Sequence, residues 1–246
     1  MSPEASYAIL AATGALASAL NVVAGGGSFL TLPVLIFLGL PPNVANATNR
    51  VGVLLQNVAG VWGFHRARVM GWDSLLWAGL PATIGAAGGT WLALSVSDEG
   101  FRRLLSLLMV AVTLWTLLAR VEPAPDTERR ASPLPMAGAF LLVGVYGGFV
   151  QAGVGFFILA VTTHAGIDLI RGNAIKVLCV LVLTTLSLAI FAAYGRVDWP
   201  SGLALGAGSL IGGLLGVRLT VRKGERWVRG VVTAAVVLFA IKLWFG

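Results

Sequence analysis

Apolar runs of about 20 residues recur from end to end, at 7–23, 74–95, 101–119, 174–194 and 227–245. As helices, each is long enough to cross a hydrocarbon core about 30 Å thick. A bilayer offers backbone amides no water, so such a chain must satisfy them internally, as helices do. Composition agrees: 57% of residues are hydrophobic and 11% charged, and the mean hydropathy is +0.89, outside the range of soluble domains. The expected fold is therefore an all-α polytopic membrane protein. The opening "MSPEASYAIL" carries an acidic residue where a secretory signal is basic, so the first run is expected to be retained. One cysteine, Cys179, lies inside a run, which leaves no disulfide framework and no thiolate cluster. No metal or cofactor is expected.

The net charge of +7 does not indicate nucleic acid, because Arg and Lys sit at the ends of apolar runs without interleaved aromatics. They orient the chain. The basic loops "HRARVMG" and "VRKGER", together with the stretch 121–135, are expected on the cytoplasmic side. The acidic turn "SVSDEG" and the turn "YGRVDWP" then fall outside. Four prolines within 121–135 make that stretch a linker between two halves. The whole chain reads as one transmembrane domain, with repeat one at 1–120 and repeat two at 136–246. "ANATNRVGVL" resembles "IRGNAIKVLC", and an offset of about 126 residues places Arg50 on Lys176. The basic loop after Phe64 corresponds to an outside turn in the second half, so the copies are inverted. Each half is then a hairpin, 7–40 or 136–165, plus three crossings.

Both hairpin tips are glycine-rich: Gly25, Gly26 and Gly27 in the first, "GGFVQAGVG" in the second. The arm at 29–40 would rise about 18 Å as a helix and so begins near the middle of the membrane. For the hairpins as wholes, full crossing and re-entrance both stay open as readings. The first N–H groups of such an arm lack intrahelical acceptors and carry partial positive charge. Interrupted helices at matching positions of an inverted repeat point to a transporter's substrate site, and helix N-termini favour anions. The candidate substrate-binding residues are Gly25, Gly26, Gly27 and Ser28 at the first tip, and Gln151, Gly153 and Gly155 at the second. Asn46, Thr48, Asn49, Arg50, Asn173 and Lys176 join them from the helices that follow. There are plainer readings. The glycines suit close helix packing, and Arg50 and Lys176 suit snorkelling to lipid phosphate. Gln56 and Asn57 could complete the coordination but read more readily as interhelical glue than as ligands, His164 reads as a capping or interfacial residue, and Trp72, Trp199, Trp227 and Trp244 as an interfacial belt.

The stretch "AGGGSFLTLPVLIFLGLPPNVANATNRVGVLLQN" resembles the first-half signature of the sulfite exporter TauE/SafE family, bacterial inner-membrane proteins of two hydrophobic repeats, and the likeness covers nearly the whole chain. The second half departs from the pattern: "QAGVGFFILAVTTHAG" has fewer glycines and no proline matching Pro33. The resemblance implies movement of sulfite or a sulfur-containing organic anion across the cytoplasmic membrane, with Gly25, Gly26, Gly27, Asn46, Thr48 and Asn49 carrying the first motif and Ala174 and Lys176 part of the second. The residues themselves support a secondary transporter of a small oxyanion that works by alternating access about the two tips. No phosphate-binding loop is present for ATP. An anion channel or facilitator and a non-transporting accessory membrane subunit are the alternatives. An enzyme is not expected, because no nucleophile–base pair or metal constellation falls within the runs. The implied partners are a small anion and the lipid bilayer, with homo-oligomerisation left open.

Overall fold

A computed structural model describes the backbone of residues 2–118 and 133–245, with side chains for 2–108, 111, 135–223 and 227. Most of the expected linker lies outside these residues. The described part is helical: α1 (Pro3–Ala24), α2 (Ser28–Phe37), α3 (Pro42–Arg66), α4 (Leu80–Ser95), α5 (Asp98–Leu118), α6 (Pro133–Phe149), α7 (Val154–His164), α8 (Leu169–Ala193) and α9 (Trp199–Phe245). Local chemistry sets the ends. Ser2 caps α1 by accepting from Ala5 N, and Pro3 occupies the first position, where its missing N–H costs nothing. Gly25, at φ 96°, then stops α1 in the left-handed region. At the start of α8, Asp168 accepts from Ile170 N and Arg171 N. Among the described residues, three helical segments are long and apolar enough to span a membrane: Pro3–Ala24, Leu169–Ala193 and Trp199–Lys223.

The packing between halves is reciprocal. The long hairpin arm of the first half, α1, lies along α9, and the long arm of the second, α6, lies along α4. Glycines permit both contacts. A Cβ on Gly208 or Gly212 would stand 1.8 or 2.1 Å from the carbonyl oxygen of Ala11 or Ala15. One on Gly85 or Gly89 would stand 2.0 Å from that of Leu141 or Val145. In a bilayer, where no hydrophobic force separates helix from lipid, such backbone approach is a main source of association.

The helix ends of the two halves recur 127 residues apart. α2 and α7 close alike: Leu40 N donates to Leu35 O beyond Gly39, and Ile167 N to Thr162 O beyond Gly166. α3 and α8 close alike too, with Val69 N on Phe64 O and Arg196 N on Phe191 O. The residue in the left-handed region is Gly195 after α8 but Arg68, at φ 58°, after α3. In this register Asn173 matches Asn46, and Lys176 matches Asn49 rather than Arg50. The 126-residue alignment of the two cations is corrected by one.

Three boundaries differ from expectation. "VRKGER" is not a loop, because α9 runs unbroken through it. The stretch has no proline and consists mostly of good helix formers, so local propensity overrides the topological reading of its charge. The run at 74–95 opens with a π-helical turn, Leu75–Gly79, in which Leu80 N bonds Leu75 O. Pro81, which lacks a donor, follows directly. Finally, α6 begins at Pro133, inside the expected linker, since proline is tolerated in a first turn.

Candidate functional site

The two glycine tips touch. A Cβ on Gly25 would lie 2.7 Å from the carbonyl carbon of Gly155 and 2.9 Å from Phe156 N, and one on Gly155 would lie 2.6 Å from Gly25 Cα. The turn residues Gly25 and Gly153 take φ of 96° and 77°, which glycine adopts without strain. Just beyond, Phe29 and Phe156 stack at 6.3 Å between centroids and pack with Ala24 and Ala152. The short helices α2 and α7 therefore start side by side in the interior, with Phe29 N turned back onto Gly26 O and Phe156 N onto Gly153 O.

Breaking α1 and α6 inside the protein also leaves their last turns short of intrahelical donors, and a cation from the opposite half meets each set of carbonyls. Arg50, on α3, donates through Nη2 to Gly148 O at 2.6 Å and through Nη1 to Gly147 O at 3.1 Å. Asn46 Nδ2 adds a bond to Phe149 O at 3.0 Å. Lys176, on α8, donates to Asn21 O and Val22 O, each at 2.8 Å, and to Asn173 Oδ1. Asn173 Nδ2 in turn holds Val23 O at 3.3 Å. Arg50 is fully buried and Lys176 is 3% exposed, so neither snorkels to an interface. Both sit against helix C-termini, where the macrodipole favours positive charge. All three hydrogens of the Lys176 ammonium are engaged. The Arg50 guanidinium also lies 4.9 Å from the Phe191 ring centroid.

Between the tips lies a cavity of about 10 Å³, the size that holds one water molecule. The first half lines it with Asn21 at the end of α1, Ser28 at the start of α2, and Val53, Gln56 and Asn57 on α3. The second half contributes Gln151 and the start of α7, Val154 and Gly155, with Lys176 and Val180 on α8. The walls thus combine two helix N-termini, one ammonium, four amide or hydroxyl side chains besides Asn21, and three valines.

Of the residues singled out from sequence, Ser28, Gln151, Gly155 and Lys176 line the cavity, Gly25 abuts Gly155, and Asn173 holds Lys176. The others serve the frame. Gly26 O accepts from Phe29 N, and Gly27 N donates to Asn21 Oδ1 at 3.4 Å. Gly153 caps α7. Thr48 Oγ1 accepts from Asp198 N at 2.9 Å, and Asn49 Oδ1 from Thr31 Oγ1 at 2.6 Å. Asn46, Thr48, Asn49 and Arg50 do not line the cavity. Among the described residues, Asn46 Oδ1, Asn49 Nδ2 and Arg50 Nε are buried without a partner. Three polar lining residues stood outside the candidate set: Gln56 and Asn57, for which glue was the favoured reading over coordination, and Asn21. The signal for Asn21 was present, as it is an amide directly before the glycine break in an otherwise apolar helix.

The chain matches the family model described as "Sulfite exporter TauE/SafE" over residues 10–243. It is 30% identical to a "Probable membrane transporter protein" of Haemophilus influenzae, covering 96% of this chain and 93% of that protein. It is 29% identical to the "Probable membrane transporter protein YfcA" of Escherichia coli K12, covering 93% and 86%. A third relative, the "Probable membrane transporter protein ORF9" of a Sinorhizobium species, is 26% identical, covering 93% and 88%. No solved structure matches the chain. With its apolar helices and this match over nearly its full length, the chain is a membrane protein that belongs to the sulfite exporter TauE/SafE family.

Proposed function

We propose that the protein is a secondary transporter that carries a small oxyanion, sulfite or a sulfur-containing organic anion, across the bacterial cytoplasmic membrane. One observation carries this reading: the amino ends of α2 and α7, from opposite halves, border a single cavity together with the Lys176 ammonium. Helix N-termini attract anions through their partial positive charge, and the buried ammonium adds a full charge that needs no counter-ion from the lipid. The family description and the relatives' printed names support a transporter. The valine side of the lining, Val53, Val154 and Val180, suits an oxyanion with one apolar face, as in an alkanesulfonate.

The cavity, water-sized as it stands, must widen to admit such an ion, which fits an occluded state of an alternating-access cycle. The matching helix ends and reciprocal packing support two inverted repeats, 1–120 and 136–246, rocking about the tips. In this scheme the chain crosses the inner membrane several times and residues 121–135 face the cytoplasm. A passive facilitator differs in showing no counterflow. Labelled sulfite flux into proteoliposomes tests the reading. The expected result is saturable flux, with counterflow, that Gly26→Leu and Lys176→Ala abolish while the protein stays folded. Flux that survives both substitutions, or none from the native protein, contradicts it.

A further inference from the structure

Donor-only groups orient both glutamines on the cavity, Gln151 directly and Gln56 through Asn21, and this decides which end of each amide is left for a ligand. On one side Arg50 Nη1 donates to Gln151 Oε1 at 3.2 Å. A guanidinium accepts nothing, so the amide cannot turn over. Its nitrogen then faces Thr184 Oγ1, to which it donates, and one hydrogen remains. On the other side the donor-only group is a backbone amide. Gly27 N on Asn21 Oδ1, at 3.4 Å, sets that side chain, and Asn21 Nδ2 then donates to Gln56 Oε1 at 3.1 Å. Gln56 Nε2 is left with both hydrogens. Gln56 and Gln151 are 3% and 2% exposed, so solvent does not compete for them. Asn57 Nδ2 is bound to Val53 O at 2.7 Å, which leaves Asn57 Oδ1 as a side-chain acceptor on the lining. Lys176 contributes charge, but its three hydrogens are engaged.

We infer that Gln56 and Gln151 are the side-chain donors that grip the oxyanion, and that Arg50 is a positioning residue, acting on the ligand only through the Gln151 amide. This rests on the oxyanion-transport reading and assigns its specificity. A ligand held this way is an acceptor of hydrogen bonds at two or more oxygens. Arg50 does not touch it in the occluded state. The arrangement also accounts for the offset between Arg50 and Lys176 in the repeat. The two cations are not copies, because one presents its charge to the cavity while the other orients an amide.

Ligand binding by the purified full chain in detergent tests this, read from the thermal shift produced by sulfite and by methanesulfonate. Gln151→Glu and Gln56→Glu, which keep the shape but replace the donor by an acceptor, are each expected to weaken binding tenfold or more, about the worth of a hydrogen bond to a charged group. Arg50→Lys keeps a charge on the α6 carbonyls but loses the planar fork, and should weaken binding several-fold. In a Gln151→Met background the same Arg50→Lys change should have no further effect on affinity, since its route to the ligand is gone. A purely structural Arg50 would lower the melting temperature in both backgrounds and leave the affinity unchanged in both. Losses that add in the double variant, or glutamate variants that bind as the native protein does, overturn the assignment. Native binding with additive losses overturns it alone, whereas no binding of either ligand overturns it together with the transport reading.

Discussion

Gly25 and Gly155 meet backbone to backbone at the centre of the molecule, closer than any side chain would permit: the nearest atom to a Cβ on either is under 3.0 Å away and belongs to the other tip. Gly25→Ala therefore combines left-handed strain with a clash against rigid backbone and is expected to cost more than 2 kcal/mol, about the upper range for overpacking plus strain. Gly39 is the control. It has a similar φ, 99°, but open space around it, so Gly39→Ala should cost only about 1 kcal/mol. Thermal unfolding in detergent separates them, and equal losses would contradict the contact.

The helix seams depend on glycine in the same graded way. Gly212→Leu would push a side chain into Ala15 O, 2.1 Å from the Cβ position, whereas Gly88 has nothing within 4 Å. Gly212→Leu should abolish folded protein in membranes while Gly88→Leu is tolerated. Monodispersity of the extracted protein reports the difference.

Lys176→Met removes the ammonium that satisfies Asn21 O and Val22 O. Asn21 O keeps Gly25 N as a donor, but Val22 O is left without one, so a loss of about 1–3 kcal/mol is expected, the cost of one unsatisfied buried group. A melting temperature unchanged from native would show that the lysine does not cap α1.

Arg68 holds φ 58° at the end of α3, where the other half has Gly195. A side chain there costs about 1–2 kcal/mol that glycine avoids, so Arg68→Gly should stabilise the protein by about 1 kcal/mol. Destabilisation would mean that the guanidinium makes a contact outweighing the strain.

Much of this was legible in the sequence. Three glycines inside an apolar run, answered by a second glycine-rich stretch, announced two broken helices, and a short arm after each placed their ends in the interior. The role of Arg50 was not legible, because nothing local says that α3 passes the end of α6 rather than lipid. Only the fold, which lays α6 on α4 and brings Gly147 and Gly148 to Arg50, makes it a cap. Gln56 and Asn57 looked like glue because an amide in a membrane helix is satisfied equally well by a neighbour or a ligand. "VRKGER" was misread because its charge marks a membrane boundary, while its residue types allow the helix to continue.

The central claim is that the paired tips are the oxyanion site, and protection of a thiol placed there tests it most directly. Ser28→Cys in a Cys179→Ala background puts a single thiol at the start of α2, on the cavity. The account predicts that sulfite slows its modification by a small thiol reagent, with the same concentration dependence as sulfite transport. Saturable transport with no protection of that thiol would place the substrate elsewhere and contradict the account.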